Sequence, residues 1–267
     1  MKYCLSAYVS REYLQKANEI KIDWKKRDYI LDLLEVNRNA NIILEINDLN
    51  DFDVNKDIDT LKQYNIMCGD RLYVGIPTRS MIYYCRQAAV KYFMLFPIRD
   101  YYTLSWFVNE GVSYVRLAPP LTHELDKVAK FNIPVRAIAN IAYSDGLPRE
   151  EESVYGQWIR PEDIEGTYEY YIDVIEFAGV TPVQEQGLYR IYAEQKNWPG
   201  KMADIIQNFN FDCYNRLIEP DLAKYRFKCG QRCMSGGGCR LCLINVKLAQ
   251  NDMRELIKEA INEHKEE

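Results

Sequence analysis

The stretch Val112–Ile141, VSYVRLAPPLTHELDKVAKFNIPVRAIANI, decides the reading of the fold. Residues 112–118 (VSYVRLA) are rich in β-branched and aromatic side chains and stop at Pro119-Pro120, as a strand does. Thr122 then caps a helix to Phe131, with Leu125, Val128 and Ala129 spaced to face inward. Residues 134–141 (PVRAIANI) form a second strand. Two such strands separated by a helical crossover lie side by side and parallel.

The same rhythm extends in both directions. Upstream, Tyr3–Val9 is a candidate strand, and Asp23 caps a helix over Trp24–Val36 with Trp24, Ile30, Leu31 and Leu34 on one face. Asn41–Ile46 is a strand and Asp57–Tyr64 a short helix; Arg71–Ile76 is a strand and Arg79–Val90 a helix; Tyr92–Pro97 is a strand, and Asp100–Asn109 a helix that Gly111 stops. Downstream, Tyr170–Phe177 (YYIDVIEF) is a strand. Thr181-Pro182-Val183-Gln184 is a capping box with proline at the first helical position, starting a helix through Gln195. Lys201–Asn208 is a further helix. Strands recurring every ~20–25 residues have the period of a parallel β/α barrel, so a TIM-like barrel is expected over residues 1–208. The polar stretch Ser144–Arg160 interrupts the rhythm and is expected to be a long loop, a lid or binding element.

Composition bounds the rest. The chain has 267 residues, a formal charge of −5, 8 cysteines and 2 histidines, His123 and His264. A chain of this length buries roughly 75% of its unfolded surface and needs no disulfides to hold a core. Its acidic balance argues against a protein that coats nucleic acid nonspecifically, although Lys224–Arg240 is locally basic. Two histidines disfavour a His-rich metal site or a Ser-His-Asp triad. The N-terminus lacks a signal-peptide pattern and no apolar run approaches the ~18 residues of a membrane helix, so a cytoplasmic location is expected. Many of the 21 tyrosines sit in amphipathic segments, where the ring packs and the hydroxyl stays wet.

In a reducing compartment, cysteine spacing matters more than cysteine number. Cys229, Cys233, Cys239 and Cys242 read C-x3-C-x5-C-x2-C, with Gly236-Gly237-Gly238 between the pairs. Four clustered thiolates suit a closed structural zinc site or an iron–sulfur cluster, and the spacing leaves both open. This Cys-rich knuckle, with an amphipathic helix from Val246 to about His264 (Leu248, Met253, Leu256, Ile257, Ala260 and Ile261 on its apolar face), forms a second segment, residues 209–267. Cys4 and Cys85 are expected in the core, Cys68 as a buried loop thiol, and Cys213 stands apart.

In a β/α barrel, functional groups gather at the C-terminal strand ends. That rule selects Glu45 and Asn47, Arg79, Arg99, Arg116, Asn140 and Tyr143, and Glu176. Two carboxylates with several arginines and a tyrosine would suit a small anionic or polar ligand, which arginine can grip bidentately.

The segment 112–139 resembles the strand–helix–strand of the collagenase-like peptidase family, number thirty-two among peptidases of unknown catalytic type. Residues 159–176 (IRPEDIEGTYEYYIDVIE) are similar to that family's Arg-x-Pro-x-Asp element and the strand ending in Glu that follows it, with Arg160, Pro161, Asp163 and Glu176 at the matching positions. The chain departs from the family where Gly-Arg usually follows the strand Glu, here Phe177-Ala178, and in placing its four clustered cysteines near the C-terminus rather than in mid-barrel loops. The resemblance implies a β/α barrel. It also implies an enzyme in which Glu176 and Arg160 orient substrate. Together with the strand-end rule, this makes Glu176, Arg160 and Glu45 the catalytic candidates and Arg79, Arg99, Arg116, Asn140 and Tyr143 the substrate-binding candidates. Some members are peptidases; others carry a four-cysteine iron–sulfur cluster and support hydroxylation of RNA bases or of small aromatic substrates. A non-catalytic binding or assembly protein stapled by zinc is the alternative of another class.

Overall fold

Each strand of this chain alternates two kinds of residue, and the two kinds face two different environments. In the computed structural model, which describes residues 1–117, 121, 124–141, 158–207, 209, 212–218, 246–252 and 254–255, eight parallel strands form one sheet. They are β1 (Lys2–Ser6), β2 (Glu19–Asp23), β3 (Asn41–Glu45), β4 (Leu72–Ile76), β5 (Lys91–Met94), β6 (Val115–Arg116), β7 (Val135–Ile138) and β8 (Val174–Glu176). The order β5-β4-β3-β2-β1-β8-β7-β6 brings the first and last strands of the list together. A parallel bridge between Ile98 and Leu117, and the Ser113 amide donating to the Tyr92 carbonyl at 2.8 Å, close the circle. The fold is a TIM-like β/α barrel.

The outward positions, among them Leu5, Ile20, Ile22, Ile42, Leu44, Leu72, Val74, Ile76, Val115, Ala137 and Ile175, bury against the helical ring in the main core. The inward positions are mixed. Cys4, Ile43, Phe93, Tyr114 and Val174 make a small apolar plug, with Tyr73 and Leu95 packed on it. Glu19, Arg136 and Glu176 share that interior and are buried.

The helical ring comprises α1 (Arg11–Lys16), α2 (Ile30–Val36), α3 (Val54–Cys68), α4 (Met81–Gln87), α5 (Tyr101–Asn109), α6 (Leu125–Val128), α7 (Pro161–Ile164), α8 (Pro182–Tyr189) and α9 (Met202–Ile205). Asp53 and Asp100 each accept a backbone N–H at the starts of α3 and α5. The capping box at Thr181 and Gln184 is present in both directions, and α8 continues as a π-helical turn over Arg190–Gln195.

Several expectations need correction. Residues 19–23 (EIKID) are a strand that the sequence reading passed over; Asp23 ends that strand and also accepts from the Lys25 amide. The helix expected over 24–36 is a 3-10 turn (Trp24–Tyr29) followed by α2, and its buried residues are Trp24, Ile30 and Leu33, whereas Leu31 is exposed. The strand expected over 170–177 shrinks to β8, preceded by a 3-10 turn at Tyr168–Tyr170. Beyond the barrel, the Met202 amide donates to the Cys213 carbonyl at 3.0 Å, and Cys213, Asn215 and Ile218 are buried. Residues 246–252 are helical as expected, with Val246 and Ala249 buried but Leu248 exposed. Cys4, Cys68, Cys85 and Cys213 are all buried free thiols. Among the described residues, no helix is long and apolar enough to cross a membrane. His123, Tyr143 and the cysteines 229, 233, 239 and 242 lie outside the described residues, as does most of the 144–160 stretch.

The capping box sets the entry of α8 behind Glu176, so its loss should register in stability. Replacing Thr181 with Ala is expected to lower unfolding free energy by about 1 kcal/mol in urea titration, while Thr181→Ser stays near wild type.

Candidate functional site

The C-terminal ends of β3, β6 and β8 bring three predicted residues together. Arg116 leaves the end of β6 and donates from Nε and Nη2 to the two oxygens of Glu176, at 2.5 and 2.8 Å. The same Nη2 donates to Oε1 of Glu45 at 2.8 Å, and Nη1 to the Leu95 carbonyl at 3.1 Å. Every nitrogen of this guanidinium is therefore occupied. Strand register explains the meeting. Glu176 is paired with Cys4 on β1 and Ile138 on β7, Glu45 with Asp23 on β2 and Gly75 on β4, and all face inward at the mouth.

Below this triad lies a second ion pair that the sequence reading missed. Arg136, on β7, is fully buried with Nη2 3.0 Å from Oε2 of Glu19 and 3.8 Å from Oε2 of Glu176. Its guanidinium carbon stands 4.9 Å from the Phe93 ring centre and 5.2 Å from that of Tyr114. Glu19 also accepts from Tyr114 Oη at 2.9 Å and Asn41 Nδ2 at 3.2 Å. Nε, Nη1 and Nη2 of Arg136, and Oε2 of Glu19, have no hydrogen-bond partner among the described residues, so the two residues meet as an ion pair without hydrogen-bond geometry. The charges thus alternate from the interior to the opening: Glu19, Arg136, Glu176, Arg116, Glu45. The signal for the inner pair was in the alternation. In EIKID and PVRAI, the charged residues fall on the same parity as the inward positions.

These neighbours set the protonation states. Burial alone would raise the pKa of Glu176, but Arg116, Arg136 and Lys21 outweigh it and hold the carboxyl down to about 2. Glu176 is accordingly a fixed carboxylate at neutral pH and supplies no proton. Lys21, on β2, donates to the Phe177 carbonyl at 2.5 Å and lies 3.8 Å from Glu185 of α8. Burial raises the Glu185 pKa despite that lysine. Burial likewise raises the thiol pKa of Cys4 to about 12, so the buried thiol is neutral.

The remaining predicted residues are placed differently. Asn140 follows β7 and clamps the backbone, with Nδ2 donating to the Ala178 carbonyl and Oδ1 accepting from the Ala178 amide, both at 3.0 Å. Arg160 is buried and grips Asp163 bidentately at 2.6 and 2.7 Å, so the Arg-x-x-Asp element of the sequence is an internal brace of α7. Arg79 and Arg99 are exposed on the loops after β4 and β5. Asn47 donates to Asp23 at 2.7 Å. Of the arginines expected to hold substrate, Arg116 is saturated by two carboxylates and the Leu95 carbonyl. The accessible group of the triad is Glu45, with 18% of its side chain exposed against 2% for Glu176. No group of three or more His, Cys, Asp or Glu side chains able to hold a metal occurs among the described residues.

A parallel eight-stranded barrel with an ionic column running to its C-terminal mouth is the class that fold and site define. No protein-family model and no curated protein matches the chain. Among solved structures, it is similar to orotidine 5'-monophosphate decarboxylase from Metallosphaera sedula, with 10% identity and a TM-score of 0.42 over 73% of this chain and 99% of that one. It is also similar to a putative phosphonomutase from Burkholderia cenocepacia J2315, with 13% identity and a TM-score of 0.37 over 73% of this chain and 92% of that one. Neither likeness bears on activity.

The depressed pKa of Glu176 has a signed consequence. Its ionised form is favoured in the folded state, so its contribution is complete above the unfolded carboxyl pKa of about 4.3 and is lost as pH falls toward 2. Glu176→Gln leaves two arginines without their shared carboxylate and is expected to cost about 3–5 kcal/mol at pH 7. Its penalty relative to wild type should shrink across that acid window when urea midpoints are compared.

Proposed function

We propose that this chain is an enzyme working at the C-terminal mouth of its barrel on an RNA or a small polar or aromatic substrate, in the manner that its resemblance to the collagenase-like peptidase family implies. The observation that carries the reading is the triad Glu45–Arg116–Glu176. Three charged strand-end side chains converge where barrel enzymes do their chemistry, and one of them, Glu45, is open to solvent. Within it Arg116 is a positioning residue, holding both carboxylates in place. Glu45 is the group that accepts a hydrogen bond or proton from a bound substrate. Glu176, fixed as an anion, keeps Arg116 oriented.

The chemistry of the donor set suits the implied cofactor. The four described cysteines are buried and spread over the fold, whereas Cys229, Cys233, Cys239 and Cys242 fall within fourteen residues and supply four thiolates. These four would hold an iron–sulfur cluster, which when bound supplies one-electron chemistry for hydroxylation. The peptidase alternative has less support, because the thiols of Cys4, Cys68, Cys85 and Cys213 are all pushed up to about 11–12, away from a nucleophilic thiolate.

One observation favours a second reading, a non-catalytic binding or assembly protein with zinc on the same thiolates. Asn140 and Arg160, both expected at the site, are occupied by internal backbone and carboxylate contacts. Protein purified without oxygen separates the two. A brown protein containing iron and sulfide, which loses its colour in Cys239→Ala, supports the enzyme; a colourless protein with one zinc per chain favours the binding protein. Glu45→Gln is the cleaner functional probe than Glu176→Gln, since Glu45 is partly exposed. It is expected to lower turnover by about 10²-fold or more while urea stability changes little.

A further inference from the structure

The loop after β4, Pro77-Thr78-Arg79-Ser80, carries a guanidinium in an unusual state. The guanidinium carbon of Arg79 lies 4.5 Å from the Trp106 ring centre and 5.2 Å from that of Phe107, both on α5. Arg79 is exposed, and among the described residues it makes no hydrogen bond and no ion pair. Its flat face lies against the indole, and its charge is one of the influences lowering the pKa of the Asp100 carboxyl at the start of α5, with no ion pair formed between them. This contrasts with Arg116, Arg136 and Arg160, each opposite a carboxylate. Stacking removes side-chain freedom in advance, so less is lost when the edge binds a ligand.

The surroundings narrow the ligand. On the same loop, on either side of Arg79 in the chain, the hydroxyls of Thr78 and Ser80 hydrogen-bond each other at 2.8 Å, which leaves one hydroxyl of the pair able to donate to a ligand. On the next loop Phe96 is 36% exposed, its ring 5.8 Å from that of Phe107, on which Arg79 also lies. Toward the barrel axis, Gly75 of β4 is in register with Glu45, the open carboxylate. Cation and hydroxyl at the rim, an aromatic face beside them and a carboxylate toward the centre complement a molecule with a phosphate, a planar ring and ring N–H donors.

We propose that Arg79, held flat on Trp106, is the phosphate-binding group of a site for a nucleotide-type ligand at the β4–β5 rim of the barrel mouth. The phosphate takes the free edge of Arg79, joined by one hydroxyl of the Thr78 and Ser80 pair, and the base stacks on Phe96 with its N–H groups toward Glu45. The inference rests on the reading of the C-terminal mouth as the substrate-facing end, and it gives that substrate a class.

The test is equilibrium binding of adenosine 5'-monophosphate, adenosine and benzoate to the full chain by calorimetry, independent of turnover. The monophosphate is expected to bind at least tenfold more tightly than adenosine, and Arg79→Ala to weaken it about tenfold or more. Arg79→Lys, which keeps the charge but not the fork, should also weaken it, and Phe96→Ala should reduce the preference for the monophosphate over inorganic phosphate. Unchanged melting temperature in Arg79→Ala confirms that its fold is intact, as an exposed residue with no hydrogen bond or ion pair among the described residues allows. Equal affinities for monophosphate and adenosine, an Arg79→Ala variant equal to wild type, or no binding at millimolar concentration overturns the proposal. So does benzoate binding more tightly than the monophosphate, which would assign a carboxylate instead. Lys62→Ala, on the distant α3, should leave affinity unchanged; an equal loss there would mean diffuse charge attraction and would also overturn it. Because turnover is not read, an active Glu45→Gln counts against the catalytic reading alone.

Discussion

The interior of this barrel is organised by charge alternation. Glu19, Arg136, Glu176, Arg116 and Glu45 come from five of the eight strands and follow one another with signs reversed at each step. A buried charge is costly to desolvate and is tolerated when opposite charges stand close to it. Here each arginine lies against two carboxylates and Glu176 lies against two arginines. A one-residue slip of any contributing strand would turn its charged residue outward into the apolar layer beneath the helices. The column is thereby a register lock as well as the lining of the mouth. Arg136 departs from this economy: none of its three guanidinium nitrogens has a hydrogen-bond partner among the described residues, while its face packs between Phe93 and Tyr114.

The division of labour between the two faces of each strand explains why so polar an interior is tolerated. Hydrophobic burial resides mainly on the outside of the sheet, where strand residues such as Leu44, Val74 and Ile175 meet Trp24, Leu61, Ile82 and Leu104 from the surrounding segments. Apolar area removed from water there contributes about 25 cal/mol per Å². The inner face is free to carry chemistry. The mouth then has two electrostatic zones: a carboxylate-rich centre, where Arg116 is saturated, and a rim on the β4 side, where Arg79 is stacked and unsatisfied.

Much of the barrel was legible in the sequence because outward positions are uniformly apolar and helices begin with recognisable signals, as at Asp100 and Thr181, although α3 starts at Val54 behind its cap Asp53, ahead of the start expected at Asp57. β2 escaped because EIKID presents more charged residues than apolar ones, a pattern that looks exposed unless the inner face of a barrel is allowed to be ionic. Glu45, Arg116 and Glu176 were legible as strand-end residues, but their mutual pairing was not, since it joins β3, β6 and β8 through closure of the circle. Asn140 was found by its place at a strand end and Arg160 through the family resemblance; their engagement with Ala178 and Asp163 is a property of local geometry that neither reveals. Arg79 was legible as a cation near the mouth, whereas its stacking on Trp106 depends on how α5 docks beside α4.

The closure of the barrel has a mechanical side. Among the described residues, β6 has only two residues in ladder geometry, and the junction between β5 and β6 rests on few backbone contacts, among them Ser113 to Tyr92 and Ile98 to Arg116. Arg116 compensates by reaching across it, bonding the Leu95 carbonyl on one side and Glu45 and Glu176 beyond. A side chain therefore fastens the seam that the backbone leaves thin. Any event that draws Glu45 away from Arg116 loosens this fastening next to the Arg79 rim, so occupancy of the mouth and the ease with which the barrel wall breathes are coupled through one guanidinium.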